Sequence, residues 1–233
     1  MRLSLWSLRL RDLSLLSWPV LRLRSKVLPL LALVLVGCGH ISKLRPTPHG
    51  QVAAEVALGG PFARVSSAII PLPLTTVGAS YGIADRFDIG AHFHGTAAAF
   101  GIAGLDIGGS WQPLLQKDAI PAVTLVSRLF AFTDFKSGFQ PYLEIGATGS
   151  YRILERFSPY LNITTLIQTN AVPLLAAGIG VEVEFGRFAI QAECRWFSPN
   201  RPTYYNAVEW QGISGLGAVG LLLGFRYTFG EPR

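Results

Sequence analysis

From Gly50 onward, apolar and polar residues alternate with a period of two, and this pattern constrains the fold more than any other feature. In segment 139–153, Leu143 and Ile145 are odd-numbered, while Glu144 and Arg152 are even-numbered. Successive side chains of a strand point to opposite faces, so the segment is predicted to be a strand with one apolar and one polar face. The same alternation occurs, with varying strength, in 51–59, 74–83, 87–95, 101–112, 120–132, 159–168, 175–185, 188–197 and 219–229.

These ten segments predict a closed, antiparallel transmembrane β-barrel. Half of the residues are hydrophobic, only 15% are charged and 25 are glycine. After position 38 no apolar run reaches the length of about 18 residues that a spanning helix needs, whereas a tilted spanning strand needs only about 9–11. A lipid-exposed backbone must satisfy all its hydrogen bonds, which leaves a closed barrel. We expect an all-β meander of about ten strands, within a range of about eight to twelve.

The links between the segments fit this topology. Residues 84–86 and 186–187 are tight turns, while 60–72 and 198–212 are longer and contain prolines. Short turns on one side and long loops on the other are typical of outer-membrane barrels.

A soluble, secreted, lipocalin-like binding barrel is the alternative, and its faces would be reversed. The composition of the polar face favours the membrane, because it is rich in glycine, serine and threonine, and the chain after position 38 has only three lysines. Aromatic residues also lie near the predicted strand ends, as in an interfacial girdle. They are Trp111, Tyr151, Trp196, Tyr227 and Phe229.

The N-terminus has the organisation of an export signal. Arg22, Arg24 and Lys26 precede an apolar run over 27–36, which stops at Gly37-Cys38. We assign 1–37 to a signal peptide, and a second apolar, arginine-bearing stretch within 1–21 indicates an over-extended start. Since these 37 residues hold six of the 20 basic and one of the 14 acidic residues, the remainder is nearly neutral, which argues against nucleic-acid binding.

The ending Leu35-Val36-Gly37-Cys38 resembles the bacterial lipobox. The resemblance implies that Cys38 is acylated and becomes the first mature residue, carrying a lipid such as palmitate. Gly39 after the cysteine implies sorting to the outer membrane of a diderm bacterium. We interpret 38–50 as a flexible lipidated tether, 51–229 as the barrel and 230–233 as a tail. Cys194 is then left as a small apolar residue on the outward face.

The last strand also resembles a known signal. Residues 223–229 alternate aromatics at Phe225, Tyr227 and Phe229, like the C-terminal strand signal of bacterial outer-membrane β-barrel proteins, and the segment 81–90 is similar to a hairpin of such barrels. The resemblance covers residues 50–229, and the barrel proteins that share it have many different functions. It implies outer-membrane lipid, the barrel-assembly machinery and the lipoprotein-sorting machinery as partners.

The polar face is predicted to line the lumen and to form a network of paired charges, because an unpaired buried charge is costly. The same residues are also compatible with a narrow polar pore for a small polar solute, although a small barrel is largely filled by its own side chains. The predicted lumen residues are Glu55, Asp88, His92, His94, Asp106, Arg128, Glu144, Arg152, Glu182, Glu184, Glu193, Arg195 and Arg226.

His92 and His94 lie two apart on one face, a spacing that with Asp88 or Asp106 suits a metal. Two imidazoles without a fixed third ligand are weak evidence for a metal site, and both are better explained as hydrogen-bonded polar residues of the lumen. We therefore predict no metal, no catalytic residues and no cofactor beyond the lipid. A barrel enzyme acting on lipid or peptide is the rival function, and these histidines are its candidates. Residues 215–220 match G-x-G-x-x-G, but no helix follows to hold a phosphate.

Overall fold

The computed structural model describes residues 40–65, 68–99, 101–136, 138–205 and 208–230. The predicted signal peptide, Cys38 and most of the predicted tail lie outside these residues. The strands are β1 (Val52–Val65), β2 (Ala68–Pro71), β3 (Leu74–Ala84), β4 (Phe87–His94), β5 (Ala103–Leu114), β6 (Ala122–Thr133), β7 (Phe139–Ser150), β8 (Phe157–Gln168), β9 (Leu174–Phe185), β10 (Phe188–Pro202), β11 (Tyr204–Tyr205), β12 (Val208–Trp210) and β13 (Leu216–Phe229), with one short helix, α1 (Gly95–Ala99).

Ten long strands close into an antiparallel barrel, which confirms the predicted fold class. The sequence neighbours β3 to β10 pair in order, β13 pairs with β10, and β1 pairs with both β13 and β3. At the closure Val52 lies opposite Phe229 on one side and Tyr81 on the other. In the part of the chain that the structure describes, closure leaves the ten-strand sheet without an edge, because each long strand pairs with a neighbour on both sides.

The two ends of the barrel differ in their connections. One end, here called the turn end, holds the links 85–86, 115–121, 151–156 and 186–187 and the start of β1. The opposite end, the loop end, holds the three longest connections, 66–73, 95–102 and 203–215, which include α1 and the short strands β2, β11 and β12.

The long links at the loop end contain more strand than the sequence predicted. Segments 60–72 and 198–212 were expected to be loops, but β1 continues to Val65 and pairs there with β2 and with β12. These pairings satisfy backbone hydrogen bonds beyond the closed part of the sheet, which explains why the strands extend past the predicted ends.

The barrel is apolar outside and polar inside. Outward side chains at mid-height, such as Ile107 (61% exposed) and Leu161 (62%), are uncovered, whereas Glu182 and Asp106 are buried at 0% and 4%. This is the reverse of a soluble lipocalin-like barrel, which would place its apolar face inside. Exposed aromatic side chains concentrate at the turn end: Tyr81, Phe87, Trp111, Phe157, Phe185, Tyr227 and Phe229.

Within the described residues, none of the helical structure has the length and apolarity required to cross a membrane.

Candidate functional site: the plugged lumen

The predicted lumen residues lie on the inward faces of the strands, with one exception. Arg152 follows the end of β7 and is exposed at the turn end, where its guanidinium pairs with the carboxylate of Glu184. The others are buried or half-buried between outward apolar neighbours.

A segment of the chain that precedes β1 occupies this lumen. Residues 40–48, here called the plug, run through the barrel from the loop-end half to the turn end, where His49 lies 3.7 Å from Asp85. Leu44 and Thr47 are each 1% exposed and His40 is 4% exposed. The sequence had assigned 38–50 to a flexible tether, and the structure differs because the lumen offers this polar segment many partners.

The plug backbone is satisfied by lumen side chains, as a buried backbone must be. The Ser42 amide donates to Glu193 Oε2 (3.1 Å), and the Ser42 carbonyl accepts from Gln191 Nε2 (3.2 Å). Thr124 Oγ1 donates to the Leu44 carbonyl (2.6 Å). The Thr47 amide donates to Asp88 Oδ2 (2.7 Å). Bonds to three different strands, β4, β6 and β10, fix the segment along its length.

On one side of the lumen, here called the arginine side, carboxylates of β9 and β10 meet guanidinium groups. Glu182 lies 2.5 Å from Arg45 of the plug and 3.3 Å from Arg226 of β13. Glu184 contacts the same two arginines, at 2.9 and 3.2 Å. Nearer the middle of the lumen, Arg195 Nε donates to Glu193 Oε1 (2.5 Å). Four arginines, counting Arg152, therefore face the three carboxylates Glu182, Glu184 and Glu193.

The opposite side, here called the histidine side, is formed by β1, β3, β4 and β5. Lys43 of the plug lies 2.5 Å from Glu55 Oε1 and 3.0 Å from Asp88 Oδ2. The carboxylate of Asp106 contacts three imidazoles. His92 Nδ1 lies 3.0 Å from Asp106 Oδ1. His40 Nε2 and His94 Nε2 lie 2.7 and 3.0 Å from Asp106 Oδ2. The second ring nitrogen of His92 lies 3.2 Å from Glu55. Lys43 therefore pairs with two carboxylates, of which Glu55 also contacts a histidine.

Two inward glycines provide room for the plug. A Cβ atom built on Gly82 would lie 2.1 Å from the Pro48 carbonyl oxygen and 2.4 Å from that of Thr47. A Cβ on Gly224 would lie 2.8 Å from the side chain of Ile41. These close approaches explain why the lumen face carries glycine at both positions.

Little space remains around the plug. One cavity of about 30 Å³ lies against His40, Lys43 and Arg128, and two others of about 20 and 10 Å³ adjoin Lys43. A water needs about 10–15 Å³, so these cavities have room for one to three waters each. Toward the loop end the lumen is apolar, because Phe130, Phe132 and Tyr142 are buried there, with Phe130 against the His40 ring.

The remaining predicted residues lie as follows. Phe229 is the last residue of β13, and it and Tyr227 point outward with ring centroids 4.8 Å apart, while Phe225 is half-buried. Cys194 is a free thiol on the outer face. His92 and His94 are both under 10% exposed, so an enzyme substrate would have to displace the plug to reach them.

Sequence reasoning missed His40, Ser42, Lys43 and Arg45 as lumen residues. Their tether-like composition, with two prolines in 38–50, hid them. One signal did point to them, because the predicted lumen set contains seven carboxylates against four arginines. Buried carboxylates need cations, and Lys43 and Arg45 were among the basic residues not yet assigned to a strand.

Known structures similar to this chain include several outer-membrane barrels. The NanC porin is 9% identical with a TM-score of 0.42, over 76% of this chain and 98% of its own. An outer-membrane channel from Pseudomonas putida F1 is 11% identical with a TM-score of 0.42, over 82% and 99%. The translocator domain of the autotransporter NalP from Neisseria meningitidis is 12% identical with a TM-score of 0.39, over 90% and 96%. No protein-family model and no curated protein sequence matches the chain.

Proposed function

We propose that this protein is an outer-membrane β-barrel lipoprotein of a diderm bacterium whose own N-terminal segment closes its lumen. In this state it has a structural or interaction role in the cell envelope. Limited passage of a small polar solute requires the plug to move, because the cavities beside it have room for only one to three waters each. The single observation that supports closure of the lumen is the placement of residues 40–48 among the lumen charges.

The outer surface supports the membrane part of the proposal. Side chains at mid-height such as Ile107, Leu161 and Ile179 are about 60% exposed, and such a continuous apolar surface is unfavourable in water. The exposed aromatics at the turn end correspond to a girdle at a membrane interface. Short turns face the periplasm in such barrels, so we assign the turn end to that side, where the assembly machinery would read Phe225, Tyr227 and Phe229.

The proposed lipid on Cys38 is constrained by chain length. Only Gly39 separates Cys38 from His40, and an extended chain advances at most about 3.6 Å per residue. His40 bonds Asp106, and Trp111 at the turn end of the same strand is about 17 Å farther along it. The acyl chains are therefore expected to enter the leaflet at the loop end, which lies on the cell surface in the proposed orientation.

Insertion and lipidation are tested together by fractionation. Cells that express the full chain are labelled with an alkyne fatty acid, and the outer-membrane fraction is run on a gel with and without boiling. A closed barrel changes its mobility on boiling, and Cys38→Ala is expected to lose the label. Cys194→Ala is the matched control, because its thiol is exposed on the outer face, and it should keep the label. Recovery of the wild type in the soluble fraction would refute the proposal.

Closure by the plug is tested by conductance in planar bilayers. The wild type is expected to conduct little, while a variant that lacks residues 40–47 is expected to open a steady pore. Boiling-dependent mobility establishes that the variant is folded. Equal conductance of a folded variant and the wild type would contradict the assignment of 40–48 as the closing element.

A further inference from the structure

We propose that the plugged lumen binds one divalent transition-metal ion, best represented by Zn²⁺, through His40, His94 and Asp106. The three side chains come from different parts of the chain: His40 from the plug, His94 from the end of β4 and Asp106 from β5. This inference concerns the folded lumen only and does not depend on the lipid or on the membrane location.

The donor atoms already converge. His40 Nε2 lies 2.7 Å and His94 Nε2 3.0 Å from the same oxygen, Asp106 Oδ2, and the potential donor atoms of the three residues lie within 4.8 Å of one another. Donors of a tetrahedral zinc site, with bonds of about 2.0–2.1 Å, are separated by about 3.3 Å. The two nitrogen–oxygen distances would have to lengthen by a few tenths of an ångström, and the donor atoms that are farthest apart would have to approach by up to about 1.5 Å, to form a three-ligand site. Each imidazole would move its Nε2 proton to Nδ1 and bind the metal through the freed lone pair.

A second layer of contacts holds the carboxylate ligand in place. His92 Nδ1 lies 3.0 Å from Asp106 Oδ1, the oxygen that the other two histidines leave free. The other ring nitrogen of His92 lies 3.2 Å from Glu55 Oε2, so its ring is fixed from both sides. Ligands of functional metal sites are oriented by outer hydrogen bonds of this kind.

The charge around the cluster favours a dication. The bonded network joins the carboxylates of Asp106, Glu55 and Asp88, and its only fixed cation among the described residues is Lys43. Arg226 lies opposite Glu55 on the neighbouring strand but bonds Glu182 and Glu184. With neutral histidines the bonded network therefore has three carboxylates against one bonded cation, and burial makes unpaired charges costly. Arg128 borders the same cavity as His40 but bonds Glu144. A dication would compensate the negative charge that Lys43 leaves.

The surroundings suit a bound ion. The Asp106 side chain is fully buried, and the Phe130 and Phe132 rings lie 5.5 and 5.0 Å from the His94 ring, which keeps bulk water away. The cavity of about 30 Å³ beside His40 has room for a water as the fourth ligand. Since one ligand belongs to the plug and two to the barrel, the ion would tie the plug to the wall.

The test uses the untagged, full-length protein in detergent micelles, treated with a chelator and then titrated with Zn²⁺. We expect one ion per chain. His40→Gln and His94→Gln are each expected to weaken binding by about 100-fold or more, because even outer-layer changes cost about 10–100-fold. His49→Gln is the matched control, since His49 is exposed and outside the cluster, and its affinity should equal that of the wild type. Titration with Co²⁺ should give the intense visible absorption of a tetrahedral site.

The proposal would be overturned by a folded wild type that binds no stoichiometric zinc, or by a His40→Gln variant that binds zinc as tightly as the wild type. Boiling-dependent mobility shows whether each variant has kept its barrel. His40 lies outside the strands, so its variant reports on binding even where His94→Gln does not fold. Weak Co²⁺ absorption of octahedral type would likewise contradict the site, because it indicates surface binding.

Discussion

The two sides of the lumen differ in which residues neutralise their buried carboxylates. On the arginine side, the barrel itself supplies Arg195 and Arg226 to its carboxylates, and Arg45 of the plug adds to an existing set. On the histidine side, Glu55 and Asp88 depend on Lys43, which belongs to the plug. The plug is therefore an accessory to the arginine side and a required partner of the histidine side.

The largest effect is expected from removing the two plug cations separately. Lys43→Ala leaves Glu55 and Asp88 without their bonded cation, and breaking a buried pair costs about 3–5 kcal/mol. Arg45→Ala should cost only about 1 kcal/mol, because Arg226 and Arg152 still neutralise Glu182 and Glu184 and the Arg45 side chain is 26% exposed. Urea unfolding in micelles measures both free energies. Equal losses would show that the two walls depend on the plug alike.

A smaller contrast is expected from the same substitution on the two sides. Glu182→Gln removes a carboxylate that contacts two arginines, and we expect a loss of about 1.5–3 kcal/mol in the free energy of unfolding. Glu55→Gln relieves the surplus of negative charge and keeps an oxygen that accepts from Lys43, so the cost should stay below about 1 kcal/mol. A larger loss of unfolding free energy for Glu55→Gln than for Glu182→Gln would contradict this difference between the two sides.

The smallest effects are expected at the glycines that face the plug. At Gly82 an added methyl group would meet backbone oxygens of Thr47 and Pro48, which must shift, whereas at Gly224 it meets the end of the Ile41 side chain, which can rotate. Gly82→Ala should therefore increase ion leakage through bilayers several-fold more than Gly224→Ala. Gly149→Ala is the control, because its Cβ would have no neighbour within 4 Å. A larger leak from Gly224→Ala would mean that the plug is held mainly by the opposite wall.

Much of the barrel could be predicted because its pattern is local. The alternation in 139–153 predicted β7 (Phe139–Ser150), and the predicted segments 74–83, 175–185 and 188–197 lie within or along β3, β9 and β10. Period-two alternation reports directly which face each residue occupies. The loop-end extensions were missed because hairpin pairing beyond the closed sheet depends on neighbouring links, which the alternation does not encode.

The alternation alone is enough to predict the closed barrel, since it separates an apolar face from a polar one wherever it occurs. The segment that fills the lumen could be identified only from the folded structure. Residues 40–48 have no strand or helix pattern, and their position follows from bonds to residues far along the chain, such as Lys43 to Asp88 and His40 to Asp106. The lumen carboxylates lack part of their cation partners until residues 40–48 enter the lumen, and the lumen exists only once the barrel has closed.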